Sequence, residues 1–200
     1  GLVTVLQMIV AQEFGVPLDK VGVLVMDTDL TPDGGPTTAS RQTYVTGNAA
    51  RLAAQTLRQA IATTLAEKYD QPPERVRFVE GLAQVNGHNI PLGEVVDLMR
   101  SEGRQPRVLF EYSAPETRPL GEGGDMHFAF SFAAQAAQVE VNTCSGEVRV
   151  LKVIAANDVG KAINPIGLQG QVEGGVMMGI GNALTENFIV ENGVVFTDRM

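Results

Sequence analysis

The chain has 200 residues, of which 44% are hydrophobic and 19% charged, and its formal net charge at pH 7 is −8. This composition is typical of a globular protein and excludes an intrinsically disordered chain. The acidic balance, with Lys and Arg scattered, argues against nucleic-acid or anionic-membrane partners. No apolar run reaches the roughly 20 residues of a membrane helix, and no secretory signal opens the chain, so we expect a cytoplasmic protein.

Hydrophobic periodicity predicts the elements of the first half of the chain. Leu2 to Phe14 has apolar residues at helical spacing, and the glycine that follows should end this helix. Val21 to Met26 is an apolar run of the kind found in a buried strand. A long amphipathic stretch from about Gln42 to Lys68 predicts the longest helix.

The following elements are shorter. Arg75 to Glu80 and Ala83 to Pro91 predict a hairpin with Asn86-Gly87 at its tip. Leu92 to Arg100 fits a short helix, and Arg107 to Ser113 fits a strand.

Hairpins dominate the second half. The predicted elements are a loop at Pro115 to Asp125, a hairpin with arms Ala129 to Asn142 and Glu147 to Asn157, a glycine-rich helix, and a hairpin of Glu186 to Val190 with Val194 to Thr197. Hairpins outnumber crossovers, so we predict an α+β fold of mixed helices and antiparallel hairpins.

The chain offers two weak linker candidates, Tyr69 to Glu74 and Ala114 to Asp125. Neither is long or polar enough to separate independent domains, so we expect residues 1–200 to be part of one domain. The chain begins without methionine and stops just after a predicted strand, so we expect that domain to be truncated at both ends.

The segment Gly34 to Thr43 ends where the long helix is predicted to begin. A helix N-terminus presents unpaired N–H groups and the positive end of the helix dipole, which favours anions. Thr37, Thr38 and Ser40 add hydroxyl groups, and Arg41 adds a guanidinium suited to a phosphate or carboxylate. The alternative is that Ser40 is only an N-cap and the glycines only shape the loop.

A second candidate is the glycine-rich stretch. Asn164-Pro165 precedes a helix N-terminus that we expect near Gly167 to Gly170, with the Gln171 amide in its first turn. Each interior glycine costs about 1 kcal/mol relative to alanine. Gly175 and Gly179 are spaced i, i+4 and leave one face bare, which allows a backbone or a large rigid ligand to approach closely. The alternative is a helix packed through a glycine interface.

Protein side chains offer no metal site. The single Cys144 and the two histidines, His88 and His127, lack partners at ligand spacing. Any metal must therefore be held by something other than side chains. Glu173, near the expected helix N-terminus, and Glu186 have easy structural roles and form no convincing catalytic pair, and no nucleotide-binding loop is present.

Several of these segments, in this order and spacing, carry a resemblance. They are Gly1-Leu-Val-Thr4, Gly35-Pro-Thr-Thr-Ala-Ser-Arg-Gln42, Val45-Thr-Gly-Asn-Ala49, Val139-Glu-Val141 with Ser145-Gly146, Asp158-Val-Gly160 with Ile163-Asn-Pro165, and Gly170-Gln-Val-Glu-Gly-Gly175 with Gly179-Ile-Gly181 and Ala183-Leu184. Through them nearly the whole chain resembles the large molybdenum-binding subunit of the xanthine dehydrogenase and aldehyde oxidoreductase family.

The resemblance implies a molybdopterin cofactor that carries molybdenum, which we expect in its cytosine dinucleotide form. Gln171 would hydrogen-bond the pterin, and Gly1 would end a Gly-Gln-Gly motif. The cofactor-binding residues that the resemblance implies are Gly1, Thr37, Thr38, Ala39, Ser40, Arg41, Gln42, Asp158, Gly160, Gly170 and Gln171.

The resemblance also implies the activity of a parent enzyme. That enzyme would hydroxylate a small aldehyde or N-heterocycle with oxygen from water and pass electrons to iron–sulfur clusters and FAD in partner subunits or domains. The general-base glutamate would lie beyond Met200, in the rest of the molybdenum subunit, so we expect the isolated chain to be inactive. The alternatives are a non-catalytic binding module that retains the fold and a generic phosphate-binding enzyme.

Overall fold

The computed structural model describes residues 1–38 and 40–197. The chain divides into two compact units, Gly1–Glu116 and Thr117–Met200. The boundary between them falls within the linker candidate Ala114 to Asp125. Both units combine helices with antiparallel strands, so the predicted α+β class is confirmed.

The first unit contains three α-helices: α1 (Leu2–Phe14), α2 (Gln42–Tyr69) and α3 (Leu92–Ser101). The bounds of α1 match the prediction because Gly15 ends the helix in the left-handed conformation, with φ of 60°. A Cβ atom on Gly15 would lie 2.7 Å from the carbonyl oxygen of Phe78. Glycine is therefore required here by both backbone conformation and space.

A three-stranded antiparallel sheet lies between α2 and α3 in the sequence. Its strands are β1 (Arg77–Val79), β2 (Leu82–Val85) and β3 (His88–Pro91), in that order across the sheet. The predicted turn at Asn86-Gly87 is confirmed. A second turn at Glu80-Gly81, where both residues have positive φ, adds a hairpin that the sequence analysis did not predict.

The core of the first unit lies between α2, α3 and the inner face of the sheet. Its buried residues are Ile61, Ala62, Leu65, Val76, Ala83, Val85, Val95 and Met99. Thr64 is buried among them and donates to the carbonyl oxygen of Ala60 while accepting from Arg104 Nη1, each at 3.0 Å. Arg104 also pairs with Glu67 and Glu102, and the hydrogen bond to Glu67 raises the pKa of the guanidinium above its ordinary value.

Two predicted strands are wrong. Val21 to Met26 and Arg107 to Ser113 are irregular, because a strand needs a hydrogen-bonded neighbour and the described residues supply none. The first segment is instead held by Gln7, whose Nε2 donates to the carbonyl oxygen of Val21 at 2.8 Å. Met26 interrupts it with φ of 64°.

The second unit contains two hairpins and one helix. β4 (Phe132–Val141) pairs with β5 (Val148–Asp158), α4 spans Pro165–Leu184, and β6 (Val190–Glu191) pairs with β7 (Val194–Val195). The last hairpin is shorter than predicted. Every residue of β4 is exposed and α4 has no buried residue, so the described part of this unit has no packed core of its own.

Within residues 1–38 and 40–197, no helix is both long and apolar enough to cross a bilayer.

Candidate cofactor-binding site

The loop before α2 is closed by Arg41. Arg41 Nη1 donates to the carbonyl oxygens of Gly34 at 3.1 Å and Pro36 at 3.0 Å. Gly35 lies against the guanidinium, since a Cβ atom there would sit 3.1 Å from Nη1. Both bonds use Nη1, and the described residues offer no hydrogen-bond acceptor to Nε or Nη2. The predicted anion-binding group thus also holds its own loop in place.

Gln42 connects the loop to the helix. Its Nε2 donates to Thr37 Oγ1 at 2.9 Å, and its Oε1 accepts from Thr46 Oγ1 at 2.5 Å. Both the nitrogen and the oxygen of the Gln42 side-chain amide are therefore hydrogen-bonded within the protein. Thr37 accepts in this contact and keeps its hydroxyl proton for another partner. Thr37 and Thr38 are both exposed and present their hydroxyl groups on the loop surface.

Ser40 is not the N-cap of α2. The N-cap is Arg41, which makes no side-chain cap hydrogen bond, and Ser40 has φ of 54°. A non-glycine residue held in such a sparsely populated conformation costs about 1–3 kcal/mol and is often found at functional sites. The alternative that Ser40 only caps the helix is wrong. Ala39 lies outside the described residues.

A tyrosine pair lies beside this helix start and was not predicted. The rings of Tyr44, in the first turn of α2, and Tyr112 meet edge to face, with 6.4 Å between centroids. Burial raises the pKa of Tyr112, and its hydrogen bond with Tyr44 raises it further. The pair holds the extended segment of Tyr112 against α2. Sequence offered little signal for it, because the two tyrosines are far apart in the chain.

In the second unit, Asp158 and Asn164 organise the connection from β5 to α4. Asp158 Oδ1 accepts from the backbone N–H of Gly160 at 3.0 Å, and Gly160 has φ of 66°. Asn164 Oδ1 accepts from the N–H of Gly167 at 2.9 Å and caps α4. This cap was missed although Asn before Pro is a strong helix-start signal.

The cap corrects the position of Gln171. The helix begins at Pro165 rather than near Gly167 to Gly170, so Gln171 is in the second turn and not in the first. Glu173 is likewise away from the N-terminus and accepts from Gln169 Nε2 at 2.7 Å. At 3.6 residues per turn, Gln169 and Glu173 lie on the side of α4 opposite Gln171.

The bare face predicted for α4 is exposed. Gln171, Gly175 and Gly179 follow one another at i, i+4 spacing, and Gln171 is exposed to solvent. Cβ atoms built on Gly170, Gly174, Gly175 and Gly179 would have no heavy atom of the described structure within 4 Å. Inside the described chain, nothing therefore requires these four residues to be glycine.

Gly1, the other predicted site residue, is the exposed N-cap of α1. Its carbonyl oxygen accepts from the N–H of Val5 at 3.1 Å. The structure gives it no further contact that would identify a ligand.

Each unit, taken by itself, presents polar groups: hydroxyl groups and a guanidinium on the loop before α2, and the exposed Gln171 amide on α4. Hydroxyl groups, a guanidinium and a side-chain amide are suited to phosphate and to the hydrogen-bonding edge of a pterin. Among the described residues, no cluster of three or more His, Cys, Asp or Glu side chains could hold a metal ion. The molybdopterin that the resemblance implies holds its metal through its own sulfur atoms and so requires no such cluster.

Residues 1–200 match the model of a protein family described as the molybdopterin cofactor-binding domain. The chain belongs to this family. The match covers the whole length, so it includes the loop before α2 and the glycine-rich α4 alike. The resemblance on which the sequence analysis relied is confirmed.

Curated proteins that are similar to this chain include enzyme subunits. The chain is 32% identical over 199 residues to the putative xanthine dehydrogenase molybdenum-binding subunit XdhA of Escherichia coli, covering 98% of this chain and 26% of that protein. It is 29% identical over 198 residues to the 6-hydroxypseudooxynicotine dehydrogenase complex subunit gamma of Paenarthrobacter nicotinovorans. That match covers 96% of this chain and 24% of that protein. The chain thus spans about a quarter of the length of these relatives.

Solved structures agree with this assignment. Quinoline 2-oxidoreductase from Pseudomonas putida 86 matches with a TM-score of 0.77 and 25% identity, over 98% of this chain and 25% of that one. A Cu,Mo-CO dehydrogenase matches with a TM-score of 0.77 and 21% identity, over 97% and 24%, and shares the fold. The fold of the molybdopterin-binding domain is therefore the fold of this chain.

Proposed function

We propose that this chain is the cofactor-binding part of the large subunit of a molybdenum hydroxylase. The observation that carries the proposal is the family match across residues 1–200. We further propose that the two compact units belong to one domain of a longer protein, in keeping with the quarter-length coverage of the relatives.

In this proposal the exposed hydroxyl groups of Thr37, Thr38 and Ser40 bind the phosphate region of the cofactor, and the Gln171 amide hydrogen-bonds the pterin. Arg41 and Gln42 hold the loop in the conformation that presents these hydroxyl groups. Gly1, Ala39, Asp158, Gly160 and Gly170 remain predicted contacts. When bound, the molybdenum centre supplies the two-electron oxidation of the substrate, and the residues of this chain hold and orient the cofactor.

The proposed reaction is hydroxylation of an N-heterocycle or an aldehyde with oxygen from water. Names of similar proteins mention xanthine, nicotine and quinoline, which are all N-heterocycles, and this supports the heterocycle as the substrate class. We expect electrons to pass to iron–sulfur clusters and FAD in partner subunits. The name of one relative, a subunit of a dehydrogenase complex, supports the presence of partner subunits. We expect the cytosine dinucleotide form of the cofactor.

Cofactor analysis of the intact protein tests the proposal. Purified protein should contain molybdenum and pterin, and acid hydrolysis should release a cytidine nucleotide. Gln171→Ala should lower the molybdenum and pterin content, whereas Gln169→Ala should not, because Gln169 lies on the opposite side of α4. A non-catalytic module that retains only the fold would instead be purified without molybdenum or pterin, and equal cofactor content in both variants would reject the role of Gln171.

A further inference from the structure

The outer face of the three-stranded sheet carries a polar row. Arg77 is registered with Gln84, and Gln84 with Asn89. Directly opposed residues of neighbouring strands project from the same face of a sheet. The next row, made by Phe78, Ala83 and Ile90, faces the core. The Arg77 row therefore points away from the core, towards solvent.

This row forms the floor of a shallow depression of about 250 Å³. Arg75, from the turn before β1, contributes to one side, and the β2–β3 turn contributes Asn86 and His88. Guanidinium and amide groups dominate the lining, and they are hydrogen-bond donors.

The lining of this depression carries positive charge. Its lining contains two arginines and no Asp or Glu, in a chain with a net charge of −8. Arg58 and Arg100 pair with Glu13 and Asp97, respectively. Within the described residues, by contrast, Arg75 and Arg77 have no carboxylate within 4.0 Å. Two guanidinium groups without a carboxylate partner thus line the depression together with neutral amides.

We propose that this depression binds a small oxyanion, either a phosphate or a carboxylate group of a soluble ligand. Arg77 donates from its planar fork, Arg75 adds a second positive charge, and the amides of Gln84 and Asn89 complete the donor set. The proposal uses none of the residues assigned to the molybdopterin cofactor, and it does not depend on that assignment.

Calorimetric titration of the intact protein tests the proposal, with inorganic phosphate in one arm and malonate in the other. A double variant, Arg75→Gln with Arg77→Gln, should weaken binding at least about tenfold, because charge-assisted hydrogen bonds are the stronger class. Arg100→Gln is the matched control and should leave binding unchanged. Unchanged urea unfolding midpoints in all variants would show that the fold is intact.

The two arms separate the ligand sources. Tighter phosphate binding assigns the depression to a phosphate group, and tighter malonate binding assigns it to a carboxylate. Higher ionic strength should weaken the binding of phosphate and of malonate, since salt screens exposed charges. Undetectable binding of both anions, or equal binding by the double variant and the unsubstituted protein, would overturn the proposal.

Discussion

Arg41 Nη1 lies 3.0 Å from the carbonyl oxygen of Pro36 and donates a hydrogen bond to it. The same nitrogen donates to the carbonyl oxygen of Gly34, so Arg41 contributes two of the hydrogen bonds that close the loop carrying the proposed phosphate contacts. Arg41→Ala removes two bonds worth about 1 kcal/mol each, and should raise the open population of the loop roughly tenfold or more.

Limited proteolysis at residues 34–40 and molybdenum analysis of the intact protein would measure this effect. Cleavage should become faster and the metal content should fall. Arg51→Ala is the control, because Arg51 is exposed on the same helix and, among the described residues, its side chain bonds only with Asn48 and Gln55. If both variants behave alike, Arg41 has no particular role in closing the loop.

Gly15 should tolerate no side chain. Gly15→Ala adds a methyl group 2.7 Å from the Phe78 carbonyl oxygen in a residue with φ of 60°, and should lower the free energy of unfolding by more than about 2 kcal/mol. Gly103→Ala provides the comparison, since Gly103 has φ of 74° but open space around it. Gly103→Ala should lower the free energy of unfolding only by the backbone strain, which is about 1–2 kcal/mol. Urea unfolding measures both values, and a larger loss for Gly103→Ala would contradict the packing argument.

Tyr112 should make stability fall in alkaline solution. Its pKa is raised above the ordinary value of 10.0, chiefly by burial, so the unfolded chain loses this proton at a lower pH than the folded one. Between those two pKa values the unfolded state binds fewer protons, and stability therefore decreases as pH rises above about 10. Urea midpoints measured across this range should fall less steeply in Tyr112→Phe. Tyr69→Phe is the control and should keep the steeper fall.

Replacing Gly175 by alanine should raise the stability of α4 but lower the cofactor content of the intact protein. A Cβ atom at this position meets open space within the described chain, so Gly175→Ala should stabilise α4 by up to about 1 kcal/mol. In the intact protein the same substitution should lower cofactor content, if the bare face exists for close approach of the cofactor.

Gly93→Ala makes a matched comparison, because Gly93 lies in α3 with open space around it. Its cofactor content should be unchanged. Thermal unfolding and pterin fluorescence would report the two effects separately. Full cofactor content in Gly175→Ala would reject the close-approach interpretation.

Local signals predicted much of the fold. Apolar spacing followed by Gly15 defined α1, and Asn86-Gly87 predicted its turn, since both depend on neighbouring residues only. Val21 to Met26 failed because an apolar run becomes a strand only with a hydrogen-bonding neighbour, which such a pattern does not reveal. The start of α4 was predicted near Gly167 to Gly170, but the helix begins at Pro165. Asn164-Pro165 is a helix-start pattern, and the prediction gave more weight to the glycines that follow it.

The candidate site shows the same division. Order and spacing of the motifs were sufficient to predict the family, which the match over residues 1–200 confirms. The hydrogen bonds of Arg41 were not predictable, because hydroxyl, amide and guanidinium groups are suited equally to a ligand and to neighbouring carbonyls. The Tyr44–Tyr112 contact joins positions that only tertiary packing brings together.

The bare face of α4 has a consequence for how the protein matures. A helix with six glycines and no buried residue has little intrinsic reason to remain ordered in water. Whatever binds that face also shifts the folding equilibrium of residues 165–184 towards the helix. If the cofactor is what binds that face, as proposed, its insertion and the ordering of this segment are one linked event, and protease resistance of α4 in the intact protein should rise with cofactor content.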